Sequence, residues 1–314
     1  MTGAPPDSRP LVKDLLAKHS KAVEIVRTAI QNDDVCKTIS AKNSEDNAKR
    51  YDDIWILRFV LSHKGHVASA SKAAIKTIKF RDEKKLNELG DIRHRLRGLG
   101  VQTHENYTSE PLPENDAYDR CCAENSAFFT QPDKDRGLLL YCDVGKMDMD
   151  AISETLTEEQ MTEYMIYLNE AVFQILDDVT RRTGRLTKQM KMVDMGNVHL
   201  TKMNRTYIKR DAAVSKSLED YYPQLLGCMY IANSPSWLSM VWLALRPFFP
   251  KRMVEKLDFL PSLAKLKKSS NYKTYLKSIE RFVSLEDLPE RYGGLNKEWP
   301  LPCASKNFQD AASK

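Results

Sequence analysis

Residues 233–249 read NSPSWLSMVWLALRPFF, the densest apolar stretch in an otherwise charged chain. Taken as a helix from about Pro235, the stretch shows Trp237, Met240, Val241, Ala244, Leu245 and Phe248 on one face. Leu238, Trp242, Leu243 and Phe249 lie on the other side, so only Ser236, Ser239 and Arg246 interrupt the apolar surface. A helix that is apolar nearly all round is buried in protein or in lipid. At about 1.5 Å per residue its length is roughly 22 Å, short of a hydrocarbon core of about 30 Å. Two readings remain: a core helix, or a surface helix that covers an apolar cavity and can meet a membrane.

The rest of the chain narrows the context. Its 314 residues suit one large domain or two smaller ones, and 42% apolar with 29% charged residues is an ordinary globular balance. A net charge of +5 is too mild for a nucleic-acid binder, so no nucleic-acid partner is expected. The six cysteines contain no CxxC pair and no metal-ligand spacing, which points to thiols in a reducing compartment. The first residues lack the apolar core of a signal peptide, and no run of eighteen apolar residues occurs. A cytoplasmic protein is expected.

Helical spacing marks Leu11 to Ile30. A second helix follows Asp52 and Asp53, with Ile54, Leu57, Val60 and Leu61 as its stripe, and a third runs from Val67 to Lys84. Gly98 to Glu124, with Pro111 and Pro113, reads as a linker. Beyond it strands alternate with helices. Gly137–Val144, Gln189–Met195, Gly227–Ala232 and Lys256–Leu260 read as strands, and Thr157 to Arg182 as a long helix. That alternation predicts an α/β lobe with a mostly parallel or mixed sheet covered by helices.

Signatures of catalysis are missing. There is no GxxxxGK[ST] loop, GxGxxG fingerprint, GxSxG elbow or HExxH helix. His63 and His66 sit three apart at a helix end without a carboxylate cluster nearby in sequence, so no metal site and no cofactor are expected. Cys142 lies in an apparent core strand, and Asp194 ends a strand with no partner base to name.

Four segments carry more information. They are Asp53-Ile54-Trp55-Ile56-Leu57-Arg58-Phe59-Val60; Asp220-Tyr221-Tyr222-Pro223 leading through Gly227 to Tyr230-Ile231-Ala232-Asn233-Ser234-Pro235; the apolar helix closing with Arg246-Pro247-Phe248-Phe249; and Leu288-Pro289-Glu290-Arg291-Tyr292-Gly293-Gly294. In order and spacing over residues 52–294 they resemble the CRAL-TRIO family of lipid-binding proteins, of the secretory phosphatidylinositol-transfer type. The resemblance implies an N-terminal all-helical lobe (1–98), a linker (99–124), a CRAL-TRIO lobe (125–297) with a hydrophobic pocket, and a polar tail (298–314). It implies a monomeric, non-enzymatic carrier that moves one lipid or other lipophilic molecule between membranes. The alternative is a lipid-sensing or protein-docking regulatory module without net transfer.

Under the same resemblance the apolar helix becomes a gate, with Trp237, Met240, Val241, Trp242, Leu245, Phe248 and Phe249 as its working residues. Pro235 would sit in its first turn, and Pro247 would bend or end it. The ligand-binding positions fall on Tyr141, Gln189, Lys191, Gln224, Met253 and Lys256. Phosphatidylinositol-binding members carry Glu where this chain has Gln224 and Thr where it has Met253, which places that ligand in doubt. Lys191 either supplies a replacement cation or stands as a solvent-exposed strand-end lysine. Lys251, Arg252, Lys265, Lys267 and Lys268 follow the gate. They either draw the mouth into transient contact with an anionic membrane or form a solvated face.

Overall fold

The computed structural model describes residues 7–42, 50–93 and 127–297. The expected linker (99–124) and polar tail (298–314) lie outside the described residues. Among the described residues, four helices form the N-terminal lobe: α1 (Val12–Asn32), α2 (Asp34–Lys42), α3 (Asp53–Ser62) and α4 (Val67–Glu83). In α3 the Asp52 carboxylate caps the helix by accepting from Trp55 N at 3.0 Å, the role its sequence position predicts. The helix that follows has no polar side at its centre: Trp55 through Val60 are all buried. Leu57, Phe59 and Val60 are wholly enclosed among α1 and α4, each contributing about 1.5–3 kcal/mol of apolar burial.

The second lobe holds β1 (Ala127–Thr130), β2 (Leu139–Asp143), α5 (Met149–Thr155), α6 (Glu158–Thr183), β3 (Gln189–Asp194), α7 (Arg205–Leu218), β4 (Leu226–Ala232), α8 (Leu238–Leu245), α9 (Lys251–Val254), β5 (Leu257–Phe259), α10 (Leu263–Lys267) and α11 (Tyr272–Ile279). The strands form one sheet in the order β1-β2-β3-β4-β5, antiparallel between β1 and β2 and parallel elsewhere. This is the mixed sheet flanked by helices that the sequence implies. β1 is the addition, since the sequence reading has no strand there. Four residues are too few for a two-residue alternation to show.

Period-two alternation gives the sheet two different faces. Leu139, Tyr141, Met190, Met192, Tyr230 and Ala232 pack against Tyr275, Ile279, Val283, Leu288 and Tyr292 from the C-terminal segment. Val193, Met229 and Ile231 point the other way, toward Trp237, Leu238, Met253 and Leu257. The second face is therefore the one that the apolar helix covers.

α6 joins the lobes. A capping box between Thr157 and Gln160 starts it, and Gly184 at φ 65° ends it. Its buried Glu170 takes two hydrogen bonds from Arg81 of α4, at 2.7 and 2.8 Å. Arg58 of α3, wholly buried, donates to Thr180 at 3.1 Å and to Asp177 at 3.3 Å, and its guanidinium lies 5.6 Å from the Phe173 ring centre. Replacing one member of a buried ion pair leaves the other without its counter-charge, at about 3–5 kcal/mol. Glu170→Gln is accordingly expected to lower the unfolding free energy by about that amount in a denaturant titration, while Lys64→Gln, at an exposed surface pair with Glu255, changes it by less than about 1 kcal/mol.

Candidate functional site

The apolar stretch 233–249 is a surface element, and its helix is shorter than expected. It turns at Pro235, whose carbonyl accepts from Leu238 N at 3.0 Å, and the α-helix covers only Leu238–Leu245. Pro235 thus precedes the helix and does not occupy its first turn. Pro247 cannot donate to the α ladder, and the chain tightens into a single 3₁₀ turn at Arg246–Phe248. The inward side of the helix draws on both of the faces read from the sequence. Leu238 is buried, and Trp237, Val241, Trp242, Leu245 and Phe249 are half-buried, whereas Met240 is 77% and Leu243 72% exposed. Phe248 is exposed as well. Trp242 braces the inner side, with ring centres 5.4 Å from both Phe249 and Phe259.

Beneath the segment that follows this helix lies a cavity of about 120 Å³. Gln189, Lys191, Gln224, Met253 and Lys256, drawn from β3, the β4 approach and α9 onward, all line it. Long-range assembly brings these five together from positions 67 residues apart at the extremes (256 − 189). Tyr141 does not join them. It sits on the opposite face of the sheet, buried and stacked on Tyr292 with ring centres 5.7 Å apart. Its place in the alternation of β2 decides this, so the structure separates it from the other five positions that the resemblance groups with it.

Other cavity residues went unnoticed in the sequence: Ser62 of α3, Asn169 of α6, Glu219 after α7, and Arg252 in its actual role. Arg252 leaves the expected basic surface set. Its Nη2 donates to Asp220 at 2.8 Å and its Nε lies 4.0 Å from Glu219, so it faces the cavity wall. Lys251, Lys265, Lys267 and Lys268 remain exposed. Gln224 adopts φ 62°, the left-handed region that a non-glycine residue enters at some cost, and its Nε2 donates to Ser62 Oγ at 3.2 Å. That bond carries the helical lobe into the cavity wall.

Electrostatics in the wall are set by burial. Lys256 is held below its ordinary value by burial, with Glu219 opposing, and its Nζ donates to the Leu226 carbonyl at 2.7 Å. Lys191 is lowered by burial against the opposing pull of Asp211 on α7, and burial pushes the Asp211 carboxyl upward in turn. Gln189 is 3% exposed, and its Oε1 has no hydrogen-bond partner among the described residues.

Asp194 has a structural explanation. Fully buried at the end of β3, it accepts from Gly196 N at 2.8 Å, Asn233 Nδ2 at 2.9 Å, Arg291 Nη2 at 2.5 Å and Tyr292 Oη at 3.0 Å. Gly294 of the same C-terminal motif tolerates no side chain, because a Cβ there would lie 1.9 Å from the Leu288 carbonyl oxygen. Among the described residues, no cluster of His, Cys, Asp and Glu could hold a metal ion, and no helix is long and apolar enough to cross a membrane.

Known proteins share both the sequence pattern and the fold. The family model described as "CRAL/TRIO domain" matches residues 123–294. This chain belongs to the CRAL/TRIO domain family. It is 24% identical over 256 residues to the CRAL-TRIO domain-containing protein YKL091C of Saccharomyces cerevisiae, covering 80% of this chain and 73% of that protein. It is also 24% identical over 259 residues to the Sec14 cytosolic factor of Schizosaccharomyces pombe, covering 81% and 78% respectively. The crystal structure of Sfh5 shares the fold, with a TM-score of 0.52 at 13% identity over 96% of this chain and 97% of that one. The resemblance read from four motifs of this CRAL/TRIO chain is thus shown at family level.

Lys188, next to the cavity strand, yields a pH test. Burial, reinforced by Lys256 and Arg58, pulls its ammonium to about 8 from an ordinary 10.5. A lysine whose folded value is depressed penalises folding fully below about pH 8, and the penalty fades as pH rises toward 10.5. Lys188→Met should therefore raise the thermal midpoint at pH 7, with the gain shrinking steadily in melts recorded between pH 8 and 10.5.

Proposed function

We propose that this CRAL/TRIO protein binds one lipid or other lipophilic molecule against the Val193–Met229–Ile231 face of its sheet and carries it between membranes, without catalysing a reaction on it. The observation that carries the reading is the surface helix α8. It covers an apolar sheet face with Leu238 and Trp237 while holding Met240, Leu243 and Phe248 out to solvent. Exposed large apolar side chains on one short helix are the mark of a membrane or partner contact. The family membership and the relatives named Sec14 cytosolic factor support the same reading.

Size supports a moving gate. A cavity of about 120 Å³ is well below the roughly 300–1,000 Å³ that encloses even a drug-sized ligand. A diacyl lipid lodged in that cavity would accordingly displace the Trp237–Phe249 segment from the sheet face. Its two ends are suited to hinge motion: Asn233, in the left-handed region at φ 52°, precedes it, and Pro247 interrupts its hydrogen bonding. Apolar burial of acyl chains at about 0.8 kcal/mol per CH₂ would offset the packing that Trp237 and Leu238 give up on leaving the sheet. The exposed Lys251, Lys265, Lys267 and Lys268 would hold the mouth to an anionic surface at about 1 kcal/mol each.

The test separates docking from folding. Met240→Ser with Leu243→Ser alters side chains that are already in water, so the thermal midpoint should stay within about 2 °C. Transfer of fluorescent phospholipid between anionic vesicles should fall about tenfold or more. Mass spectrometry of wild-type protein incubated with a total lipid extract should find lipid at near one-to-one stoichiometry. A protein that stays empty and transfers nothing refutes the carrier reading; one that loads lipid and never exchanges it is a sensor.

A further inference from the structure

α4 packs Ala70, Ala73, Ala74 and Ile78 into the core of the helical lobe. Its outer side presents Lys72, Ile75, Lys76, Lys79 and Glu83, which helical spacing gathers into one stripe. From the other lobe Tyr221 lies against this stripe, and the Asp220 carbonyl beside it accepts from Thr77 Oγ1 at 3.4 Å. The Tyr221 ring stacks on Phe80 with centres 3.8 Å apart, and Lys76 Nζ lies 4.8 Å from the Tyr221 ring centre. These residues line an open groove of about 590 Å³. It is separate from the ligand cavity: Tyr221 lines the groove, whereas Tyr222, Pro223 and Gln224 line the cavity.

The groove is cationic, with three lysines to one glutamate along its walls. Lys79 is held by Asp33 at 2.9 Å, and Glu83 lies 3.8 Å from Lys84. Lys72 and Lys76 have no such carboxylate. Among the described residues no hydrogen bond or ion pair reaches either Nζ, and Lys76 rests on the face of Tyr221 instead. The two sit one turn apart on the helix, where like charges repel. The acidic residues next to Tyr221 in the chain, Glu219 and Asp220, are turned toward Arg252 and do not relieve them.

We propose that this groove docks an acidic peptide segment of a partner protein, with carboxylates on Lys72 and Lys76 and an apolar anchor between Ile75 and the Phe80–Tyr221 stack. The assignment stands independently of the carrier reading. Charge complementarity supplies its first support, since a peptide carboxylate neutralises a repelling lysine pair. Shape supplies the second. The apolar groups are recessed, with Phe80 only 9% exposed and Ile75 and Tyr221 half-buried, so a peptide side chain can enter where a flat bilayer would meet lysines alone. Met240, Leu243 and Phe248, by contrast, protrude from the apolar segment. Length agrees as well: Lys72 to Glu83 covers roughly 16 Å of helix, the reach of about five extended residues. Glu83 sets a direction, because it repels acidic residues at its own end of the groove.

The experiment titrates full-length protein into a short fluorescein-labelled peptide that alternates glutamate with leucine around a central phenylalanine, and reads anisotropy. Wild type should bind this peptide, and about tenfold more weakly when glutamine replaces every glutamate. Lys72→Glu with Lys76→Glu should weaken binding by about tenfold or more, with the thermal midpoint within about 2 °C because both side chains are already in water. Glu83→Gln should tighten it. Lys18→Glu with Lys21→Glu makes the same change of net charge at exposed positions of α1 and should leave binding within about twofold. Equal loss in the two double variants, or a wild type that ignores the peptide, overturns the proposal. Phosphatidylserine-containing vesicles should bind wild type and the Lys72/Lys76 variant alike; loss of vesicle binding in that variant makes the face a membrane contact and the peptide assignment falls. The chain has an acidic stretch of its own, with Glu105, Glu110, Glu114 and Asp116 outside the described residues. Glu105→Gln, Glu110→Gln, Glu114→Gln and Asp116→Asn combined should not change peptide affinity. A gain of about tenfold would mean that this stretch competes for the groove, and it overturns the assignment to a partner.

Discussion

Asp194 is a carboxylate with no access to water, and four donors surround it. A buried charge is tolerable only when its hydrogen-bonding capacity is filled, so those four donors are constrained together. They come from three places: the turn after β3 (Gly196), the start of the apolar segment (Asn233) and the C-terminal motif (Arg291, Tyr292). One residue thereby ties the end of the central strand to the root of the apolar helix and to the segment that closes the opposite face of the sheet. The tether also explains why Asn233 accepts a left-handed backbone immediately before the helix. With this end anchored, the displacement proposed for the helix would be a swing about a fixed root.

The sheet then acts as a partition. Its C-terminal side is a dense aromatic and aliphatic core around Tyr141, Tyr230, Tyr275 and Tyr292, where nothing is left to bind. Its other side is covered beside the gate segment by Trp237, Leu238, Met253 and Leu257 over Val193, Met229 and Ile231, with Met195, Val198 and Met203 in the same cluster. Local stability follows packing density, so under the proposed carrier function this cover is the side that would open. The helical lobe reaches this side too, through Ser62 on Gln224 and through the exposed Lys64 beside Glu255. A bond between the lobes, Gln224 to Ser62, therefore forms part of the cavity wall.

Much of this was legible in the sequence. Helical periodicity located α1, α3, α4 and α6 to within a few residues, because amphipathic and capping signals are local. Runs such as Gly137–Val144 and Gln189–Met195 showed their strands for the same reason. β1 escaped because Ala127–Thr130 is too short to display a pattern and gains its hydrogen bonds only from β2. The motif positions Gln189, Lys191, Gln224, Met253 and Lys256 could be named from the resemblance, yet nothing along the chain showed that they share one cavity. Tyr141 failed for a reason of parity: adjacent positions of a strand point to opposite faces, and sequence alone did not say which face was the floor.

What the sequence determined by itself is α1, α3, α4, α6, the strands β2 to β5 and the exceptional character of residues 233–249, since periodicity, caps and prolines act over a few neighbours. It also carried the family, because four short motifs in order encode one topology. Tertiary structure decided which way that apolar helix faces, leaving Met240 and Leu243 in water and Leu238 inside. It decided that Arg252 turns inward to Asp220 while Lys251 beside it stays in solvent. It decided, too, that Lys191 lines the cavity together with Gln189, Gln224, Met253 and Lys256. Each of these depends on the placement of groups distant in sequence, which folding must bring together before any charge or apolar surface acquires a meaning.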